Sequence, residues 1–145
     1  MKKNEIIGFQ LLSIETSEFA IIEPDFKDLK KVKISTALQF AISDTNNMIA
    51  CNVITEFMSD DSQKLLKLKT DNHFKVKPED WANFKNDNIV TLPKGFLAHL
   101  ATISVGSARG ILHCKTENTP YNKFILPLVN VVDMIPEDEN FDVNN

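Results

Sequence analysis

The sequence is poor in the residues that mark disulfide scaffolds, flexible loops and membrane segments. Its 145 residues include only two cysteines and four glycines, and no apolar run approaches the roughly 20 residues of a membrane span. Cys51 and Cys114 lie far apart, which indicates a reducing compartment and therefore a cytoplasmic protein. No apolar stretch follows Lys2 and Lys3, so neither a signal peptide nor membrane insertion is predicted.

Sequence motifs for catalysis are also lacking. There is no glycine-rich phosphate loop, no nucleophile elbow and no CxxC pair. His113 and Cys114 are adjacent, and on a helix their side chains diverge by about 100°, so they do not chelate a metal together. The sequence therefore predicts no enzyme activity, no cofactor and no metal site.

The net charge of −4 comes entirely from the C-terminal end. Residues 136–145 contain four acids and no base, and the remainder of the chain has 16 of each. A neutral body excludes the basic surface of a nucleic-acid-binding protein. One Phe and one Val do not offset the ordering entropy of the acidic end. We therefore predict one domain over residues 1–135 and a disordered acidic tail over 136–145.

Alternation of apolar and polar residues predicts a sheet in the first half of the chain. The clearest alternation covers twelve residues, 32–43, and two further segments, 48–58 and 65–76, follow across short polar turns. Residues 6–22 have weaker strand character, with a break or bulge. Strands joined by short turns are antiparallel neighbours, and alternation means that one face is covered.

A single long helix is predicted to provide that cover. Thr91 resembles an N-cap, Pro93 fits the first turn, and apolar residues recur at helical spacing from Lys94 to about Lys115. The fold class is therefore α+β, a four-stranded antiparallel sheet covered on one face by a long helix.

This helix is apolar over more of its circumference than one sheet would cover. Its apolar or small arc spans about 220°, whereas one sheet face needs about 100°. Either a second subunit or residues 124–135 of the same chain would cover the surplus. We predict an oligomer, with its subunit interface at Ala98, Ala101, Val105, Ala108 and Leu112.

Arg109 is the only arginine beside 15 lysines. It is either a solvated helix residue or a fork-shaped donor that holds backbone carbonyls or a carboxylate, which lysine does less well. Gly106 and Gly110 in the same helix are expected to allow close helix packing.

The order of these features resembles the SecB-like chaperone family over residues 5–135. The strands are followed by an aromatic connector and then by a helix that a proline opens. The matching motifs are Trp81-Ala-Asn-Phe84, Ile89-Val-Thr-Leu-Pro93, Ala108-Arg109-Gly110-Ile111 and Leu126-Pro127-Leu128-Val129-Asn130.

The resemblance implies an ATP-independent holdase, a homotetramer built as a dimer of dimers. Such a protein binds unfolded polypeptides in apolar grooves between its sheet and helix layers, in protein export, in a toxin–antitoxin system or alone. The groove residues implied here are Phe74, Trp81, Phe84 and Leu97. The alternative is a dedicated interaction module that holds one folded partner.

Basic residues on the predicted open face of the sheet distinguish this chain from the export chaperones of the family. Those chaperones dock the translocase motor through acidic residues on that face. We therefore do not expect translocase docking here, because like charges would oppose it. The basic residues are Lys33, Lys67, Lys69, His73 and Lys75.

Overall fold

The structure is a computed structural model that describes residues 6–143. The first five residues of the predicted domain and the last two of the predicted tail lie outside the described residues. The strands are β1 (Phe9–Ile21), β2 (Lys33–Ser43), β3 (Met48–Met58), β4 (Lys64–Val76), β5 (Lys85–Asn86), β6 (Ile89–Leu92) and β7 (Glu139–Asp142). The α-helices are α1 (Pro78–Phe84), α2 (Lys94–Lys115) and α3 (Val131–Met134), and two short 3₁₀ helices cover Leu29–Lys31 and Pro120–Lys123.

The first four strands form one antiparallel sheet in the order β1-β4-β3-β2, which confirms the predicted fold class. Short turns pair β2 with β3 and β3 with β4, and β1 returns to pair with β4. The predicted irregularity of the first strand is present as register shifts at Leu12 and Ser17. Strands β1 and β2 are the two edges of the sheet.

The helix α2 covers the inner face of this sheet. On that face the central strands contribute buried side chains that include Ile49, Val53, Phe57, Leu68 and Phe74. Helix α2 has the predicted bounds and is long and apolar enough, by length and composition, to cross a membrane. Its apolar side is instead packed on the chain's own sheet, as in the core helix of a globular domain. The expected N-cap is wrong, because Thr91 lies in β6 and Pro93 precedes the helix.

A second, small sheet has the order β5-β6-β7 and includes part of the acidic end. Strand β7 pairs with β6 from Ile89 opposite Asp142 to Leu92 opposite Glu139. The predicted disorder of the tail is therefore wrong for residues 139–142. The order comes from ladder hydrogen bonds and from Phe141, which packs on the core. The ladder partner lies about 50 residues upstream, where local composition gives no sign of it.

The two cysteines differ in exposure, and this difference predicts their reactivity. Cys51 is buried on the inner face of β3, whereas Cys114 is exposed near the end of α2. Burial raises the pKa of the Cys51 thiol from 9.0 to about 11. We expect a thiol reagent at pH 8 to label one cysteine in the native protein and the second only in denaturant, as counted by mass spectrometry. Rapid double labelling of the native protein would contradict the buried position.

The same shift in the Cys51 pKa predicts a loss of folding stability in alkali. The unfolded thiol ionises around pH 9.0, before the folded one at about 11. The contribution of the neutral Cys51 thiol to the free energy of unfolding is therefore complete below pH 9, and it declines as the pH rises towards 11.

Candidate functional site

The four residues predicted to line a client groove lie together, but inside the core. Phe74 and Leu97 are fully buried, and Trp81 and Phe84 are 4% and 9% exposed. The Trp81 and Phe84 rings pack edge to face at 6.3 Å, and the Trp81 indole N–H donates to Asp44 at 2.8 Å. A peptide would reach these side chains only by displacing the chain's own packing. Within the aromatic connector, helix α1 folds the Trp81 and Phe84 side chains inward.

The positions predicted as a subunit interface are also largely internal. Ala98 is half-buried, and the other four, Ala101, Val105, Ala108 and Leu112, are buried within the chain. The second alternative for the surplus apolar arc is the one observed, because Leu126 and Ile135 from the C-terminal part lie in the same core clusters. The exposed strip of α2 consists instead of Gly95, His99, Thr102, Gly106, Gly110, His113 and Cys114.

Arg109 anchors the segment that follows α2. Its Nε donates to the carbonyl of Leu126 at 2.8 Å, and its Nη2 donates to the carbonyl of Pro127 at 3.3 Å. Of the two alternatives for Arg109, the structure therefore shows the fork-shaped donor to backbone carbonyls. The clamp fixes the point at which Leu126 enters the core while Leu128 stays 90% exposed.

Replacing Arg109 by methionine removes both hydrogen bonds and retains most of the side-chain volume. We expect a loss of about 1.5–3 kcal/mol in the free energy of unfolding, because the donor is charged. Trypsin should also cleave faster after the exposed Lys123, next to the released segment. Urea denaturation and timed proteolysis measure the two effects. An unchanged cleavage rate would show that Arg109 does not hold this segment.

The outer face of the sheet carries the predicted basic residues together with acids. Lys67 pairs with Glu18 at 3.2 Å, and Glu15 lies opposite Asp71. Two of the acids, Glu15 and Glu18, come from β1, whose irregular pattern concealed which of its residues face outward. The other two are Glu56 in β3 and Asp71 in β4. The face is therefore of mixed charge rather than purely basic.

An open groove follows the edge of the sheet that β2 forms. It lies between β2 and residues 134–143, which we call the C-terminal arm. Two adjoining cavities of about 600 Å³ and 570 Å³ share Phe40 and Ala41 and make up this edge groove. Its lining consists of Leu38–Thr45, Asn52, Met134–Glu139 and Phe141–Val143.

The edge groove lies against the free side of β2 rather than on one face of the sheet. Alternate residues of a strand point to opposite faces, yet four consecutive residues, Leu38 to Ala41, line the groove. Within residues 6–143, β2 pairs with β3 alone. The groove therefore gives access to backbone N–H and C=O groups as well as to side chains.

Apolar side chains form the inner side of the edge groove, and acids occupy its rim. Leu38, Phe40, Met134 and Phe141 are partly buried against the core. The acids of the lining are Asp44, Glu137, Asp138, Glu139 and Asp142, and no lysine or arginine is among the described lining residues.

Three of these acids have a hydrogen-bond partner or a pKa that their surroundings shift. Hydrogen bonds from Lys85, at 2.6 Å, and from Trp81 lower the pKa of Asp44. Asp138 accepts the Lys94 backbone N–H at 2.9 Å, which ties the arm to the start of α2. Burial raises the pKa of Glu139. The sequence pattern alone does not reveal this site, because the composition of the acidic end is that of a disordered tail. Phe141 and Val143 are the residues in it that signal packing against the core.

The sheet order and the single long helix across the sheet define a SecB-like fold. The solved structure of a Mycobacterium tuberculosis protein has a similar fold: the Rv1957 SecB-like chaperone, in complex with a ChAD peptide from the Rv1956 HigA1 antitoxin. The two chains are 9% identical, with a TM-score of 0.52 over 84% of this chain and 91% of that one. No family model and no curated protein matches this sequence.

Proposed function

We propose that this protein is an ATP-independent chaperone that binds non-native polypeptides in extended form, and that the edge groove is its binding site. The observation that carries the proposal is an open groove with an apolar inner side along a free strand edge. The solved structure of Rv1957, a SecB-like chaperone with a bound peptide, supports the same class of ligand. We place the protein in the cytoplasm, where its two free cysteines would stay reduced.

The physical basis for broad client binding is apolar burial without a demand for one sequence. Unfolded chains present apolar side chains every few residues, and burial contributes about 25 cal/mol per Å². The edge groove lacks the deep enclosed pocket that selects one side chain, so chains of different sequence would gain similar energy. No catalytic motif is needed for this activity, and we propose none.

A second candidate function is a dedicated module that holds one partner. The observation that favours it is the Rv1957 complex, in which the bound peptide comes from a single antitoxin. Competition separates the two. Many unrelated denatured chains should displace a client from a holdase, whereas only its own partner should displace a ligand from the module.

The proposed function is tested by the thermal aggregation of an unrelated client protein. We expect a twofold molar excess of this protein to suppress light scattering without nucleotide. Ala41→Arg should abolish suppression, because Ala41 is exposed and shared by both cavities of the edge groove.

Ala37→Arg is the matched control for this assay. Ala37 is exposed on the same strand and the same face, but it does not line the groove. Failure of the wild type to suppress aggregation would reject the holdase function. Equal activity of wild type and Ala41→Arg would reject the edge groove as its site.

We also propose that the chain assembles as a homotetramer, a dimer of dimers, through the exposed strip of α2. A glycine inside a helix costs about 1 kcal/mol relative to alanine. At Gly106 and Gly110 an added Cβ would meet no described atom within 4 Å, so packing inside the chain gives no reason for glycine there. Close approach of a second helix would give that reason.

Static light scattering of wild type and Gly106→Glu tests this assembly. We expect a tetramer for the wild type and a folded, smaller species for the variant, since position 106 is exposed within the chain. A monomeric wild type would overturn the proposal.

A further inference from the structure

We propose that residues 105–129 open from the sheet as one unit, with a hinge at the centre of α2, while the rest of the domain stays folded. This opening unit consists of the C-terminal half of α2, the 3₁₀ helix Pro120–Lys123 and the segment up to Val129. The motion uncovers apolar surface of the sheet that the closed form buries. It does not depend on what the edge groove binds.

A line of polar side chains crosses the buried face of the sheet and separates two apolar clusters. The first cluster contains Ile49 and Phe74, and the second contains Phe57 and Leu68. Among the described apolar side chains, Leu38 alone packs against both clusters. Each strand contributes one threonine to the line and β4 adds an asparagine, so that this polar seam consists of Thr16, Thr70, Asn72, Thr55 and Thr36.

Three atoms of the polar seam lack a hydrogen-bond partner among the described residues. They are the hydroxyl oxygens of Thr55 and Thr70 and the side-chain oxygen of Asn72, and all three side chains are fully buried. A buried polar group without a partner costs free energy, and water restores its hydrogen bond when the group is exposed. Opening along the polar seam therefore relieves a cost that the closed form carries.

Helix α2 passes from the first cluster to the second at Ser104. Ala101 belongs to the first cluster and Val105 to the second. The buried Ser104 side chain between them lies beside the Cys51 thiol, and Cys51 pairs with Asn72 of the polar seam. The two halves of the helix therefore pack on different clusters, and the change falls over the polar seam.

The centre of α2 is also its weakest part as a helix. Residues 102–107, Thr-Ile-Ser-Val-Gly-Ser, include no strong helix former. The hydroxyls of Thr102, Ser104 and Ser107 each donate to the carbonyl four residues earlier, a hydrogen bond that tends to bend helices. A Gly–Ser pair is a common site of helix kinks. The hinge is therefore placed at residues 102–107.

The opening unit is attached to the sheet almost entirely by side-chain packing. Among the described residues, the Tyr121 hydroxyl, which donates to the Glu23 carbonyl at 2.5 Å, makes its only hydrogen bond to a residue outside α2. The Arg109 clamp joins two parts of the unit and would move with it. The rest of the domain is held by the β6–β7 ladder and by the hydrogen bond from Trp81 to Asp44. The unit is therefore the part that opens at the lower free energy.

Hydrogen exchange of the full chain, resolved by mass spectrometry of its fragments, tests this opening. A detached helix of about eleven residues is marginal in water, so its amides exchange once the unit opens. We expect residues 109–115 to exchange at least about tenfold faster than residues 97–101 of the same helix. Equal protection of the two halves would overturn the proposal.

Ile135→Val tests whether the two halves open separately. Ile135 belongs to the first cluster and lies outside the opening unit. The replacement should speed exchange at residues 97–101 by about two- to tenfold and leave residues 109–115 unchanged, because only unfolding of the whole domain disrupts the first cluster. In a fold that opens as a whole, both rates would rise together, and that result would reject separate opening.

The double replacement Thr55→Val and Thr70→Val tests the polar seam. It keeps the side-chain shape and removes two hydroxyls that gain hydrogen bonds only on opening, so exchange at residues 109–115 should slow at least about fivefold. Thr45→Val, in an exposed turn, is the control and should change neither half. An unchanged or faster rate would show that the unit does not separate along the polar seam and would overturn the proposal. If the double variant does not fold, Thr70→Val alone gives the same comparison.

Discussion

Replacement of Phe74 by alanine is expected to lower the free energy of unfolding of the whole domain rather than to weaken client binding at an exposed groove. Phe74 is fully buried on the inner face of β4, opposite Ile49 and Leu11, and its ring packs edge to face on Phe9 at 5.9 Å. Truncation of a buried phenylalanine costs about 3–5 kcal/mol. Domains of this kind are stable by only about 5–15 kcal/mol in total.

Urea denaturation followed by circular dichroism measures this effect, and Leu128→Ala is its control. Leu128 is also apolar but is 90% exposed, so its truncation should change the free energy of unfolding by less than about 0.5 kcal/mol. A Phe74→Ala variant with a wild-type denaturation midpoint would contradict the buried position of Phe74. It would support the accessible groove position that the family resemblance implied.

Ala101→Glu is expected to destabilise the fold strongly. Ala101 is fully buried in the core cluster that contains Cys51 and Leu100, so the glutamate would place a carboxylate there without a partner. An uncompensated buried charge costs about 3–5 kcal/mol. A lower urea midpoint in circular dichroism and a reduced yield of soluble protein would be the observed results.

The neighbouring substitution Thr102→Glu separates burial from helix effects. Thr102 is exposed, so this variant should remain folded with the same added charge on the same helix. If Ala101→Glu instead gave a folded species of smaller mass, position 101 would be a contact between subunits, as the sequence analysis predicted.

The strands β2, β3 and β4 and the helix α2 could be predicted almost to the residue. Their signals are local: alternation over 32–43 and helical spacing from Lys94 to Lys115 each report which residues share a face. Arg109 could be reduced to two alternatives from the same information, because the guanidinium has few roles on a helix. The structure then selected the clamp on the carbonyls of Leu126 and Pro127.

The sequence by itself therefore determined the elements and their apolar faces, and the tertiary structure decided what covers each face. Periodicity identifies the wide apolar arc of α2, but the same arc fits a second subunit or residues 124–135. Likewise, the four acids near the C-terminus by themselves indicate a solvated tail. In the structure Asn140 pairs with Thr91, 49 residues away, in the β6–β7 ladder. Both outcomes depend on contacts between distant parts of the chain, whose free energy no local pattern contains. The edge groove arises from the same contacts, since one of its walls is the arm that β7 holds beside β2.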